Sequence, residues 1–474
     1  MTDKEKQDPG QNFNSTANLT SNPGFQSSLS ITSKDDIAKE KEYNPFEHRQ
    51  VEHPNSTLGS IAHLLKACLG TGILAMPSAF KNSGLLIGVI GTLLAGVVCT
   101  HTVAMVVRTS QRACVNAKKP SMGFAETCGA AFLYGPKSLQ PWGGFVKTFV
   151  DYSLAATYAS VLCVYVVFIG SSFKEALDVY YPETNLSIQA YCALTLVPLV
   201  LICQIRNLKY LVPFSTVANL LIVVVFGITM YYVFTDLPPI SDREVVVSVN
   251  QWPLFLSTVI FAMEGIGVVM PVENEMAKPQ QFLGCPGVLN VSMVIVISLY
   301  GVFGFFGYVQ FGDLVKGSIT LNLPPEDIIA QSAKIVMALV IYFSFALQFY
   351  VPMDFVNRLL KKRSSNKYEN VIQVSVRTLM VTFAVALAAA FPNLELVISL
   401  VGAIFFSTLG LLLPAIIDTV YLWDRDLGKF NYVLIKNTII GIVSLIVLIS
   451  GTYVSILGII EDLSGSSQHN ATLT

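Results

Sequence analysis

Charge is scarce in this 474-residue chain: Asp, Glu, Lys and Arg make up 13% of it against 53% hydrophobic residues, roughly half the charged share of a soluble domain. An array of soluble domains is excluded, and a mean hydropathy of +0.59 puts most of the chain in lipid. Neither sign is in excess, with 30 Lys and Arg facing 31 Asp and Glu. A nucleic-acid binder built on phosphate neutralisation is therefore excluded, and a small partner of roughly neutral net charge is implied. Catalytic motifs are missing as well: no P-loop, HExxH or nucleophile elbow occurs, which argues against an enzyme. No CxxC or Cys/His cluster has ligand spacing, so no metal or organic cofactor is expected. None of the eight cysteines falls clearly in an outer loop, so no structural disulfide is expected either.

What remains is a polar segment followed by apolar runs. Residues 1–55 are rich in Asn, Ser, Thr, Gln, Lys and acidic residues and read as a disordered tail. No charged and then apolar leader opens the chain, so the tail is expected to stay cytosolic and to be free to meet a signalling or trafficking partner, for instance through Asn44-Pro45-Phe46. Residues 56–461 form a transmembrane domain of about eleven helices, at 57–80, 84–107, 142–171, 188–205, 211–234, 253–273, 286–311, 329–351, 371–391, 394–421 and 434–460. Residues 462–474 are left as a short outer tail. Lys and Arg alternate with the loops. Arg108, Arg112, Lys118, Lys119, Arg206, Arg358, Lys361 and Arg425 share one side, while the other side holds only Lys81, Lys174, Arg243 and Lys316. Because inner loops retain positive charge, the amino terminus is expected in the cytosol and the carboxyl terminus outside or in a lumen. The sequons at Asn185 and Asn470 then face outward and can carry glycans.

Two spans are interrupted. The first reads Leu69-Gly70-Thr71-Gly72-Ile73-Leu74-Ala75-Met76-Pro77 and the sixth reads Phe261-Ala262-Met263-Glu264-Gly265-Ile266-Gly267, with Pro271 beyond. Broken helices five spans apart point to an inverted-repeat transporter, since unwound backbone at membrane depth is tolerated where it lines a cavity. Freed amides at a half-helix amino terminus suit a carboxylate, and freed carbonyls suit an ammonium group. The expected substrate site is thus Gly70, Thr71, Gly72, Phe261, Glu264, Gly265 and Gly267, holding a zwitterion. Ionisable groups within spans are costly and become candidates in turn. His63 can titrate near neutral pH and couple protons, Glu264 beside the break is a second proton site or an amide partner, and His101 is a weaker candidate. Lys66 and Glu273 should share a depth with His63 and form a cytosolic gate.

Several blocks resemble proton-coupled amino acid transporters of the amino acid/auxin permease superfamily, in wording closest to its insect branch. They are His63-Leu64-Leu65-Lys66 with Leu69-Gly70-Thr71-Gly72, the sixth-span run to Met276, Gly317 to Pro324, Ala346 to Pro352 and Leu396 to Gly402. The resemblance implies an all-α polytopic membrane protein of eleven transmembrane helices in a five-plus-five inverted repeat. It further implies proton-coupled symport of small neutral amino acids at the plasma or lysosomal membrane, with protons as the coupling ion and the family's proton-binding histidine at His63. An amino acid sensor with little net transport is the competing reading, kept open by the long tail. One departure is the outer-loop disulfide known in vertebrate relatives, for which this chain has Pro325 beside Pro324 and no loop cysteine.

Overall fold

A computed structural model describes residues 43–49, 51–52, 54–181, 183, 186–206, 212–263, 265–361 and 369–471. The chain divides after Asn44, and of the stretch before that point only Tyr43 and Asn44 are described. The rest is helical: α1 Thr57–Cys68, α2 Thr71–Lys81, α3 Leu85–Ala117, α4 Phe124–Leu133, α5 Gly143–Tyr180, α6 Ile188–Cys203, α7 Val212–Phe234, α8 Trp252–Met263, α9 Ile266–Asn274, α10 Val288–Phe311, α11 Ile328–Lys361, α12 Glu369–Ala390, α13 Leu394–Leu422 and α14 Tyr432–Ala471. Among the described residues nine helices are long and apolar enough to cross a membrane, or ten when the bent pair α1 and α2 counts as one span. The fourth expected span, α6, is apolar but shorter. Each of the eleven expected runs therefore coincides with helix.

Three boundaries differ from the sequence reading. The connection between the second and third spans is not all loop: it contains α4, seven of whose ten residues are buried against α3 and α5. Its apolar stretch is too short to register as a span. The last helix runs through Ala471 instead of stopping near 461, so the expected outer tail is largely its continuation. The segment assigned to a free tail is folded from Pro45 onward. Pro45–His48 form a 3-10 turn with Pro45 buried, and Asn55 bridges the end of α9 through Asn55 N–H to the Glu275 carbonyl (2.8 Å) and Ala277 N–H to the Asn55 carbonyl (2.9 Å). Backbone pairing of this kind outweighs the polarity of the segment, which composition alone scores as disorder.

Burial places the broken spans at the centre. Of the apolar stretch in the sixth span 75% is buried, against 28% for α7, α12 and α14, whose exposed Leu, Ile and Val side chains belong against lipid. In α2 every residue from Thr71 to Phe80 is buried. The outer wall of the bundle centre is α5 packed along α11.

Candidate functional site

The first span breaks where the sequence reading expects. Ser56 caps α1, its hydroxyl accepting from the Gly59 N–H at 3.1 Å, and the helix ends at Cys68. After Leu69 and Gly70 the chain resumes as α2, bent by 51° from α1. The sixth span breaks between α8 and α9 at Glu264 and Gly265; Glu264 itself, and with it the second proton site assigned to it, lies outside the described residues. Both second halves begin on a glycine with no side-chain cap, Gly70 before α2 and Gly265 before α9. Their first amides therefore have no intrahelical partner and carry the positive end of each half-helix dipole.

The two breaks face one another. A Cβ on Gly72 would lie 2.7 Å from the Ala262 Cα, so only glycine lets the two backbones approach this closely. Tyr300 of α10, fully buried, ties them together: its hydroxyl lies 2.5 Å from the Cys68 carbonyl and 2.7 Å from the Ala262 carbonyl. This corrects part of the sequence reading. Of the carbonyls released at these two helix ends, those of Cys68 and Ala262 share the single Tyr300 hydroxyl, so these two are engaged within the protein. Nothing in the local sequence of either broken span signals that tyrosine.

Between the breaks lies a cavity of about 100 Å³. Of the expected substrate residues, Gly70, Thr71, Gly72, Phe261, Gly265 and Gly267 all line it. The opposite wall is supplied by residues the sequence reading missed: Leu154, Thr157, Tyr158, Val161 and Tyr165 from α5, Gln348 from α11, and Phe406 and Leu409 from α13. The signals were present. Leu154, Thr157, Tyr158, Val161 and Tyr165 recur at three- and four-residue intervals and mark one face of a helix, and Gln348 is the one amide in the apolar stretch from Ile335 to Pro352. Residues 402–412 of α13 wind as π-helix, a local rewinding that often accompanies functional sites, and this segment carries Phe406 edge-on to Phe261 at 5.5 Å. Tyr158 covers the start of α9: a Cβ on Gly267 would lie 1.9 Å from its hydroxyl. Among the described lining residues there is no Asp, Glu, Lys, Arg or His.

Access differs between the two halves of the first span. On α1 the residues Ala62, His63, Lys66 and Ala67 are exposed, while α2 buries its whole length to Phe80. His63 does not line the cavity, but it lies one helical turn from Ala67, which does. On the face beyond α2, Lys81 Nζ lies 2.8 Å from Glu395 Oε2 and the Asn82 amide donates to Glu395 Oε1 at 2.6 Å. That cluster closes α2 onto α13.

The expected gate of Lys66 and Glu273 is not formed. Glu273, 1% exposed, is engaged by Arg49 instead. Arg49 Nη2 donates to both carboxylate oxygens at 3.1 Å, Nη1 to the Glu273 carbonyl at 3.0 Å and Nε to the Pro120 carbonyl at 2.9 Å. Gln111 of α3 donates to Glu273 Oε1 at 3.0 Å, and the Phe46 ring lies beneath the guanidinium at 5.2 Å. Lys66 projects from an exposed position of α1, whereas Arg49 presents a planar fork that satisfies both carboxylate oxygens together. His101 is not among the residues lining the cavity and lies in the field of Lys436, Arg108 and Asp418. Asn185 lies outside the described residues, and Asn470 belongs to the last turns of α14, where nothing of its side chain is described. All eight cysteines are free thiols.

The family described as transmembrane amino acid transporter protein matches residues 53–457. The chain is 40% identical over 425 residues to the proton-coupled amino acid transporter-like protein pathetic of Drosophila melanogaster, covering 90% of each. It is 28% identical over 295 residues to vacuolar amino acid transporter 4 of Saccharomyces cerevisiae, covering 60% of this chain and 38% of the yeast protein. Among solved structures, a Na+-coupled sialic acid symporter in a substrate-bound outward-open state has a TM-score of 0.46 at 12% identity, over 92% of this chain and 96% of that chain.

Proposed function

The chain belongs to the transmembrane amino acid transporter family, a family of multi-pass carriers and not of enzymes, and from that premise we propose that it moves small neutral amino acids together with protons by alternating access. The observation that carries the reading is the cavity between the two breaks. Uncapped amides of α2 and α9 offer a carboxylate the positive ends of two half-helices. No charged side chain among the described lining residues would pair with an ionised substrate side chain, and the small volume favours a small one. A zwitterion with a neutral side chain fits both conditions.

Proton coupling rests on His63 and on the name of the Drosophila relative. An imidazole one turn from the cavity, on the exposed face of α1, can exchange a proton with the aqueous side while the substrate site is open to it. With the amino terminus cytosolic, that side is the cytosol, and the Lys81, Asn82 and Glu395 cluster is the closed outer gate. The working membrane is the plasma membrane or the lysosomal membrane, the second in keeping with the vacuolar yeast relative.

Uptake of radiolabelled amino acids into proteoliposomes tests the reading. An imposed pH gradient should drive accumulation, and replacing sodium with a large organic cation should leave it intact. His63→Gln should lose uphill accumulation while retaining substrate exchange at equal pH. Collapse of flux in sodium-free buffer, or wild-type accumulation by His63→Gln, would each overturn the assigned coupling.

A further inference from the structure

The cavity has two chemically different walls. The broken spans present backbone: uncapped amides and glycines, with the Tyr158 hydroxyl over Gly267. The opposite wall, on α5, α11 and α13, presents side chains, of which Leu154, Val161, Phe406 and Leu409 are apolar. The Thr157 hydroxyl is spent on its own helix, donating to the Ser153 carbonyl at 2.7 Å, and beyond Tyr158 the polar groups left on this wall are those of Tyr165 and Gln348.

An amide in the middle of a membrane-spanning helix needs partners, because burying it without them is costly. Gln348 sits among buried apolar neighbours on its own helix, with Phe345, Ala346 and Phe349 at 0%, 3% and 1% exposure. Its side chain stands beside the hydroxyl of Tyr165, within interaction range of it. That contact leaves capacity over. A primary amide has two N–H donors and a carbonyl oxygen with two lone pairs, and one phenol hydroxyl cannot satisfy them all. Both residues line the cavity, which makes a bound substrate the candidate partner for that capacity. Tyr165 lies seven residues from Tyr158 on α5, two turns along the same face, so the pair is displaced from the end of the cavity where Tyr158 meets α9.

We propose that Gln348, beside Tyr165, reads the side chain of the substrate and gives small hydroxyl-bearing amino acids an advantage over aliphatic ones of the same shape. This deepens the transport reading and rests on it. A neutral amide accepts from a hydroxyl without requiring a charge, and Val161, Phe406 and Leu409, which line the same cavity, suit the methylene that carries that hydroxyl. The discriminating pair is serine and 2-aminobutyrate, which differ by a hydroxyl in place of a methyl group.

The test is competition against radiolabelled alanine exchange in proteoliposomes containing the full chain. Wild type should be inhibited more strongly by serine than by 2-aminobutyrate. In Gln348→Met, which keeps the length and removes both donor and acceptor, the ratio of serine to 2-aminobutyrate inhibition should fall roughly tenfold, a ratio taken within the variant so that any common loss of exchange cancels. If that variant does not reach the membrane, Gln348→Asn, which withdraws the amide by one methylene, should lower the same ratio. A ratio unchanged in a variant that still exchanges alanine overturns the assignment, as does an equal loss for alanine, serine and 2-aminobutyrate, the sign of a group that holds the common backbone. Absence of alanine exchange in the wild type is a different result, which defeats the transport reading itself and this assignment with it.

Discussion

Removing the Arg49 side chain should destabilise the protein through the carboxylate it leaves behind. Arg49 and Glu273 are 6% and 1% exposed, and the guanidinium makes two bonds to the carboxylate and one to the Glu273 carbonyl. In Arg49→Ala the carboxylate keeps only the amide of Gln111. Breaking a buried pair from one side costs about 3–5 kcal/mol, and the surviving bond to Gln111 places the loss near the lower end. Glu273→Gln should cost less, about 1–2 kcal/mol, because Arg49 stands on a terminal segment and can turn towards water. The two effects are coupled: Arg49→Ala with Glu273→Gln removes the stranded charge and should be more stable than Arg49→Ala alone. Heating detergent-solubilised protein and measuring the surviving monodisperse fraction by size exclusion ranks the variants. Simple addition of the two losses, or a double variant below Arg49→Ala, would falsify the view that Arg49 is there to neutralise Glu273.

Other outcomes follow from the cavity and its closed side. Tyr300→Phe removes the hydroxyl shared by the Cys68 and Ala262 carbonyls, while the Gly70 N–H still donates to the Cys68 carbonyl, a loss of about 1–3 kcal/mol that a thermal-stability series checks. Gly267→Ala must displace the Tyr158 hydroxyl and should abolish substrate exchange, whereas a Cβ on Gly70 meets nothing within 4 Å, so Gly70→Ala should express at wild-type level; equal behaviour of the two contradicts the geometry. Gly72→Val drives a side chain into the Ala262 backbone and should lower the yield of folded protein, beyond any effect on binding. Lys81→Glu should impair uptake, and Lys81→Glu with Glu395→Lys should restore it if the pair closes α2 onto α13.

The sequence by itself determined where the long apolar helices run, where two of them break and which side of each break is lined with glycine, but not the short α4. These are properties of single segments: the length of an apolar run, and the loss of backbone bonding where glycines cluster. It also determined the family, because the blocks that carry the resemblance are contiguous. Only the tertiary structure decided what meets across the cavity. Tyr300 reaches Cys68 and Ala262 from 232 and 38 residues away, and Arg49 reaches Glu273 across 224. No periodicity within a helix encodes such a pairing. Depth along the membrane made Lys66 a reasonable partner for Glu273, but depth is one coordinate of three. The azimuth of each helix and the folding of the amino-terminal segment gave the carboxylate to Arg49, and the facing of α5 and α11 set Tyr165 and Gln348 opposite the breaks.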